Sequence, residues 1–114
     1  MPNAETIRQL NDNLRINHRG GKIAVTPGVM ALNDLPTILR QLRKFTDFDD
    51  SNDVHKERDF GAFKYQGASH IAGTGPLIFF SISYYDKELM MGSPDPSRPD
   101  ITERVLVLML SSEY

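Results

Sequence analysis

The nine residues Leu77-Ile78-Phe79-Phe80-Ser81-Ile82-Ser83-Tyr84-Tyr85 put Ile78, Phe80, Ile82 and Tyr84 on alternate positions, with Phe79, Ser81, Ser83 and Tyr85 between them. A period of two with one strongly apolar side is the pattern of a β-strand buried on one face. A chain holding such a strand must build a sheet and must find something to cover it. Residues 60–66 read as the partner strand, and residues 67–76 between the two are too long for a tight hairpin turn.

The cover comes from helical patterns. Asn3 is placed to cap a helix over residues 4–17, with Ile7, Leu10 and Leu14 as a narrow apolar stripe and Gly20-Gly21 ending it. Residues 23–26 form a short β-rich segment stopped by Pro27-Gly28, and residues 29–32 either continue as a strand or enter the next turn. Asn33 or Asp34 caps a second helix, with Pro36 in its first turn. Its buried face is Ile38, Leu39, Leu42 and Phe45, and Arg40, Arg43 and Lys44 point away. After the turn-rich residues 92–99, Asp100 and Glu103 have capping-box spacing. Residues 100–113 are therefore expected as a helix, although the run 105–110 is apolar all round and a buried strand is the alternative.

These elements predict an α+β fold: a small antiparallel β-sheet packed with two to three helices, in one domain over residues 1–114. The expected core is Ile38, Leu42, Phe63, Ile78, Phe80, Ile82, Leu106 and Leu110.

Composition narrows the function classes. With 39% hydrophobic and 25% charged residues the chain is an ordinary globular one. The absence of cysteine excludes a disulfide framework, a thiolate zinc site and a cysteine nucleophile. No signal peptide is expected, and no apolar run is long enough to span a membrane, so a soluble cytoplasmic protein is the expectation. Residues 1–44 hold seven basic and three acidic groups, and residues 45–114 hold six basic and twelve acidic ones. Such a split suits steering a charged partner if the halves form separate faces, and means little if they interleave.

Several segments have a family look. They are Asn52-Asp53, Asp59-Phe60-Gly61-Ala62-Phe63, Ile82-Ser83-Tyr84-Tyr85-Asp86, Gly92-Ser93-Pro94-Asp95-Pro96 and Thr102-Glu103-Arg104-Val105-Leu106. With Met109-Leu110, Glu113-Tyr114, Ile7-Arg8-Gln9-Leu10-Asn11 and Thr26-Pro27-Gly28-Val29 they resemble the bacterial (alphaproteobacterial) family known as domain of unknown function 3768. The resemblance implies no established activity. The chain departs from the family pattern at Arg58, where a His is usual, at Lys56, where a Gly is usual, and in residues 68–76, which look like an insertion.

Each chemical reading meets an obstacle. Asp47, Asp49, Asp50 and Asp53 are hard oxygen donors, but a calcium loop starting at Asp47 would have Asn52 and Arg58 where the template needs Gly and Glu. No metal site or cofactor is expected. Glu57, Asp59 and Asp86 would meet at one end of the hairpin and shift each other's pKa, or else serve as strand-end carboxylates paired with Arg58 and Lys87. His18, His55 and His70 fall in turns, and no serine sits in a nucleophile elbow. Arg40 and Arg43 lie close together on one helix, which admits nucleic-acid binding, but a pI near 5.9 and the lack of a nucleic-acid motif favour a solvated helix back.

Binding is the remaining class. Phe79 and Tyr85 lie on the strand face opposite the core residues, and His70 sits in the hairpin loop. The expected function is a non-catalytic protein-binding module acting through His70, Phe79, Tyr85, Arg40 and Arg43. Its partner is another protein or a second copy of the chain, and an inhibitor of a bacterial defence system (anti-CRISPR or antirestriction type) is one form of it. The alternative is a small divalent-metal-dependent hydrolase or nuclease using the carboxylates of residues 53–59 and Asp86.

Overall fold

The structure is a computed structural model describing residues 3–49, 51–67 and 73–114. The chain runs α1 (Ala4–Asn17), β1 (Lys22–Val25), α2 (Pro27–Met30), α3 (Leu35–Lys44), β2 (Phe60–Lys64), β3 (Leu77–Tyr85), β4 (Glu103–Leu110) and a terminal 3₁₀ turn (Ser111–Glu113). The strands form one sheet in the order β1-β4-β3-β2. The β2–β3 and β3–β4 pairs are antiparallel, and β1 joins β4 in parallel, so this α+β fold has a mixed sheet.

Asn3 caps α1 by accepting the Thr6 N–H at 3.1 Å. The helix ends on His18 rather than on the glycines: His18 takes the left-handed conformation (φ 57°), and its N–H donates to the Leu14 carbonyl at 3.0 Å. Gly21 serves packing instead, because a Cβ there would lie 2.5 Å from the Arg104 carbonyl oxygen. Thr26 and Pro27 start the single turn α2, so residues 27–30 are helical and not a further strand. In α3, Ile38 and Leu42 are buried and Arg40, Arg43 and Lys44 are exposed.

Residues 100–113 are not a helix. Arg98 holds the Asp100 carboxylate at 2.7 Å, and residues 103–110 form β4, with β1 on one side and β3 on the other. An all-apolar helix needs cover all round, whereas here the apolar cover lies on one side only. Strand geometry sends Leu106 and Leu108 into the core and leaves Val105, Val107 and Met109 on the opposite face.

The core joins Leu14, Val29, Ile38 and Leu42 from the helices to Ile78, Phe80, Ile82, Leu106 and Leu108 from the sheet. Phe63 and Leu110, expected at its centre, are partly buried at its margin. All three helices contribute to this face. The other face has Phe60, Phe79, Ser81, Ser83, Val105, Val107 and Met109, all half-buried.

Candidate protein-binding surface

Beyond Tyr85 the chain turns back on itself. The Asp86 N–H donates to the Met91 carbonyl at 2.8 Å, and the Leu89 N–H donates to the Asp86 carbonyl at 3.0 Å. The Asp86 carboxylate accepts the Met90 N–H at 3.0 Å, and Ser93 returns to the Tyr84 carbonyl at 3.0 Å. Leu89 has φ +60°, a left-handed conformation that a branched side chain rarely adopts. This ordered turn exposes apolar side chains: Tyr85 is 37% accessible, Leu89 48%, Met91 72% and Met90 78%. Large apolar residues standing singly on a surface are ordinary, but four within seven residues form a patch.

The turn is braced from below. The Ser93 and Thr102 hydroxyls bond to each other at 2.7 Å, and Thr102 also donates to the Asp95 carbonyl at 3.0 Å. Asp95 accepts from the Ser97 N–H and hydroxyl, and these bonds hold its carboxyl below the ordinary value. Arg104, 1% exposed, donates to the Pro96 carbonyl and to Asn11 Oδ1, and its guanidinium stacks on the Tyr84 ring at 5.1 Å. Asn11 in turn donates to the Tyr84 hydroxyl at 2.7 Å, which donates to Glu57 at 2.8 Å. Burial pushes the Tyr84 phenol far above its ordinary value, the Asn11 bond opposes this, and Glu57 adds to it. Tyr84 therefore stays protonated and acts as a structural link. A buried arginine thus ties the turn's support to α1.

The expected binding residues are scattered. Phe79 and Tyr85 share a face, but they stand six strand steps apart, about 20 Å. Phe79 is half-buried against Phe60 (ring centroids 5.3 Å apart) and Tyr114 (5.5 Å). Because the residue 67–76 connection adjoins the Leu77 end of β3, Tyr85 is at the far end from it. Arg40 and Arg43 lie on the exposed side of α3, and His70 lies outside the described residues. Leu89, Met90 and Met91 were not anticipated. Their only sequence signal is an apolar triplet between charged Asp86-Lys87-Glu88 and the Gly92-Ser93-Pro94 turn.

Burial raises the Asp59 carboxyl above its ordinary value, and Glu57 and Asp53 lie close enough for their charges to raise it further, but Asp86 does not join them. The Asp59 carbonyl accepts the Ile82 N–H of β3 at 2.8 Å, whereas Asp86 is past the strand's end. Asp53 accepts the Arg58 N–H at 2.9 Å, and Glu57 accepts from Tyr84. Asp49 accepts from Ser51 and Asn52 within its own loop. Among the described residues no three carboxylates or imidazoles are grouped to hold a cation. Asp50 lies outside those residues. Lys56 (φ 59°) and Arg58 (φ 54°) are both left-handed, so the Lys56 position is one where glycine would sit without strain.

Among the described residues no helix is long and apolar enough to cross a membrane. No curated protein and no solved structure matches the chain. The model of one family, described as protein of unknown function (DUF3768), matches residues 25–113, a span that starts in β1 and leaves α1 outside. The chain belongs to the DUF3768 family.

Proposed function

We propose that the chain is a protein-binding module whose contact surface centres on the turn after β3. The observation that supports this is the exposed Leu89-Met90-Met91 triplet on a turn whose backbone is fixed by Asp86 and Ser93. Methionine side chains are unbranched and polarizable, which suits a surface that must fit another protein. A rigid base under adaptable side chains limits the ordering cost on association. Tyr85 borders the triplet and supplies the aromatic anchor such surfaces tend to use. An inhibitor of a defence system is a narrower form of this proposal, in which the partner is a nuclease or restriction subunit.

The test uses the purified chain and a Met90→Ser/Met91→Ser variant as parallel baits, followed by titration of the purified candidate partner. Both residues are solvent-exposed, so the variant should fold as the parent does. The partner's affinity is expected to fall about ten-fold or more in the variant. Equal affinity for both forms would remove the turn from the interface and the proposal with it.

A further inference from the structure

A second surface, separate from the turn after β3, lies along β1, which is an edge of the sheet. The Thr26 N–H donates to the Leu108 carbonyl at 3.0 Å, and β1 runs parallel to β4 with Ile23 opposite Leu106 and Val25 opposite Leu108. In a parallel ladder alternate residues turn their N–H and C=O to the same neighbour. Lys22, Ala24 and Thr26 therefore face β4, and the backbone groups of Ile23 and Val25 face outward. Among the described residues nothing pairs with them.

The side chains of these two residues point to the helix side of the sheet, as their partners Leu106 and Leu108 do. There Ile23 and Val25 line a groove of about 270 Å³ with Leu35 and Leu39 of α3, and His18 and Gly21 also line it. That volume is below the roughly 300 Å³ at which pockets for drug-sized ligands begin. It fits side chains better than a cofactor. Open backbone groups and an apolar seat are thus offered by the same two residues.

Charge sets the ends apart. His18, Arg19 and Lys22 are exposed where β1 begins, and no acidic residue occurs between Asp12 and Asp34. Among the described residues neither Arg19 nor Lys22 has an ion pair. An extended segment lying along β1 would meet unneutralised positive charge at that end.

We infer that the β1 edge binds an extended peptide segment of another protein. The segment adds a strand beside β1, seats apolar side chains between Ile23, Val25 and Leu39, and places a carboxylate over Arg19 and Lys22. Main-chain pairing supplies affinity in this mode, and the groove and the charge supply selectivity.

The probe is a phage-displayed library of random eight-residue segments, selected on the full chain and on an Arg19→Glu/Lys22→Glu variant. The expected result is enrichment of segments with alternate apolar residues and an acid at one end on the parent, with the charge preference lost or reversed on the variant. Synthetic copies should bind the parent about ten-fold tighter than the variant. Methylating alternate backbone nitrogens of the peptide should abolish binding, and bound peptide should protect the Ile23 and Val25 amides from hydrogen exchange. Amidating the peptide's C-terminus separates a terminal carboxylate from an Asp or Glu side chain as the acidic group. No enrichment, no charge preference, or protection away from β1 overturns the inference. Protection of Ile23 and Val25 without peptide, in a concentration-dependent dimer, would assign the edge to a second copy and also overturn it.

Discussion

Arg104 and Asp59 show how single side chains organise this protein. Arg104 is buried near the start of β4, where burial pulls its guanidinium below the ordinary value while Tyr84 and Glu57 oppose that pull. Its bonds to Asn11 and Pro96 replace the water it gave up. Removing the hydroxyl in Tyr84→Phe deprives Glu57 of a donor and Asn11 of an acceptor, and should cost about 1–3 kcal/mol by chemical denaturation. Asp59 has the opposite problem. Burial first, then the charges of Glu57 and Asp53, raise its carboxyl above the ordinary value. A raised folded-state value means that the folded chain holds the proton more tightly than the unfolded one. Its contribution is fully present below the ordinary aspartate range and is lost as pH rises through the raised value. Asp59→Asn should therefore raise the thermal midpoint at neutral pH, with the gain fading below about pH 4. A gain that stayed constant with pH would mean that Asp59 carries no such burden.

Among the elements, β3 and β4 show most clearly what alternation does. Phe80 has no accessible surface and meets Phe45 edge-on with ring centroids 5.3 Å apart. Gly61 makes room for this pair, since a Cβ there would lie 2.3 Å from the Phe80 ring. Phe80→Ala should cost about 3–5 kcal/mol, and an unchanged denaturation midpoint would place the core elsewhere. At the other end of the sheet Glu113 joins three elements. Its carboxylate accepts the Thr26 hydroxyl at 2.6 Å, the Leu110 N–H at 2.8 Å and the Gly28 N–H at 3.0 Å. These bonds, the one from Thr26 foremost, hold its carboxyl below the ordinary glutamate value. A depressed folded-state value gives stability that is present above the ordinary range and is lost as pH falls through the depressed one. Glu113→Ala should lower the thermal midpoint at pH 7, and the gap between variant and parent should narrow as pH drops below about 4.

For the molecule as a whole, the consequence of placing β4 between β1 and β3 is a sheet whose centre is the last strand in the chain. Strands paired on both sides open only when most of the domain does. The β4 amides should accordingly exchange among the slowest, ahead of those in α1 and β2. Fast exchange across residues 103–110 would contradict the central position of that strand. Because the helices gather on one face, the opposite face is covered only in part, at one corner by Tyr114 over Phe60 and Phe79. The protein therefore meets its surroundings through a sheet face, an open edge at β1 and an apolar turn.

Local patterns were enough for α1, α3 and the β2–β3 pair. The Asn3 cap, the Ile38–Leu42 spacing and the alternation of residues 77–85 are short-range signals, and backbone geometry converts them directly into elements. The class of fold was legible for the same reason, as were the exposure of Tyr85 and the helix-back position of Arg40 and Arg43. Residues 105–110 were not, since an all-apolar run satisfies either period and only neighbours choose between them. Here β1 and β3 supply pairing on both sides, and the core lies on one side, so the strand wins. The exposure of Leu89, Met90 and Met91 was equally beyond reach, because burial depends on what the rest of the chain brings to a position. The same holds for Ile23 and Val25: their apolar character is written in the chain, but their edge position follows from the parallel pairing with residues more than eighty positions away.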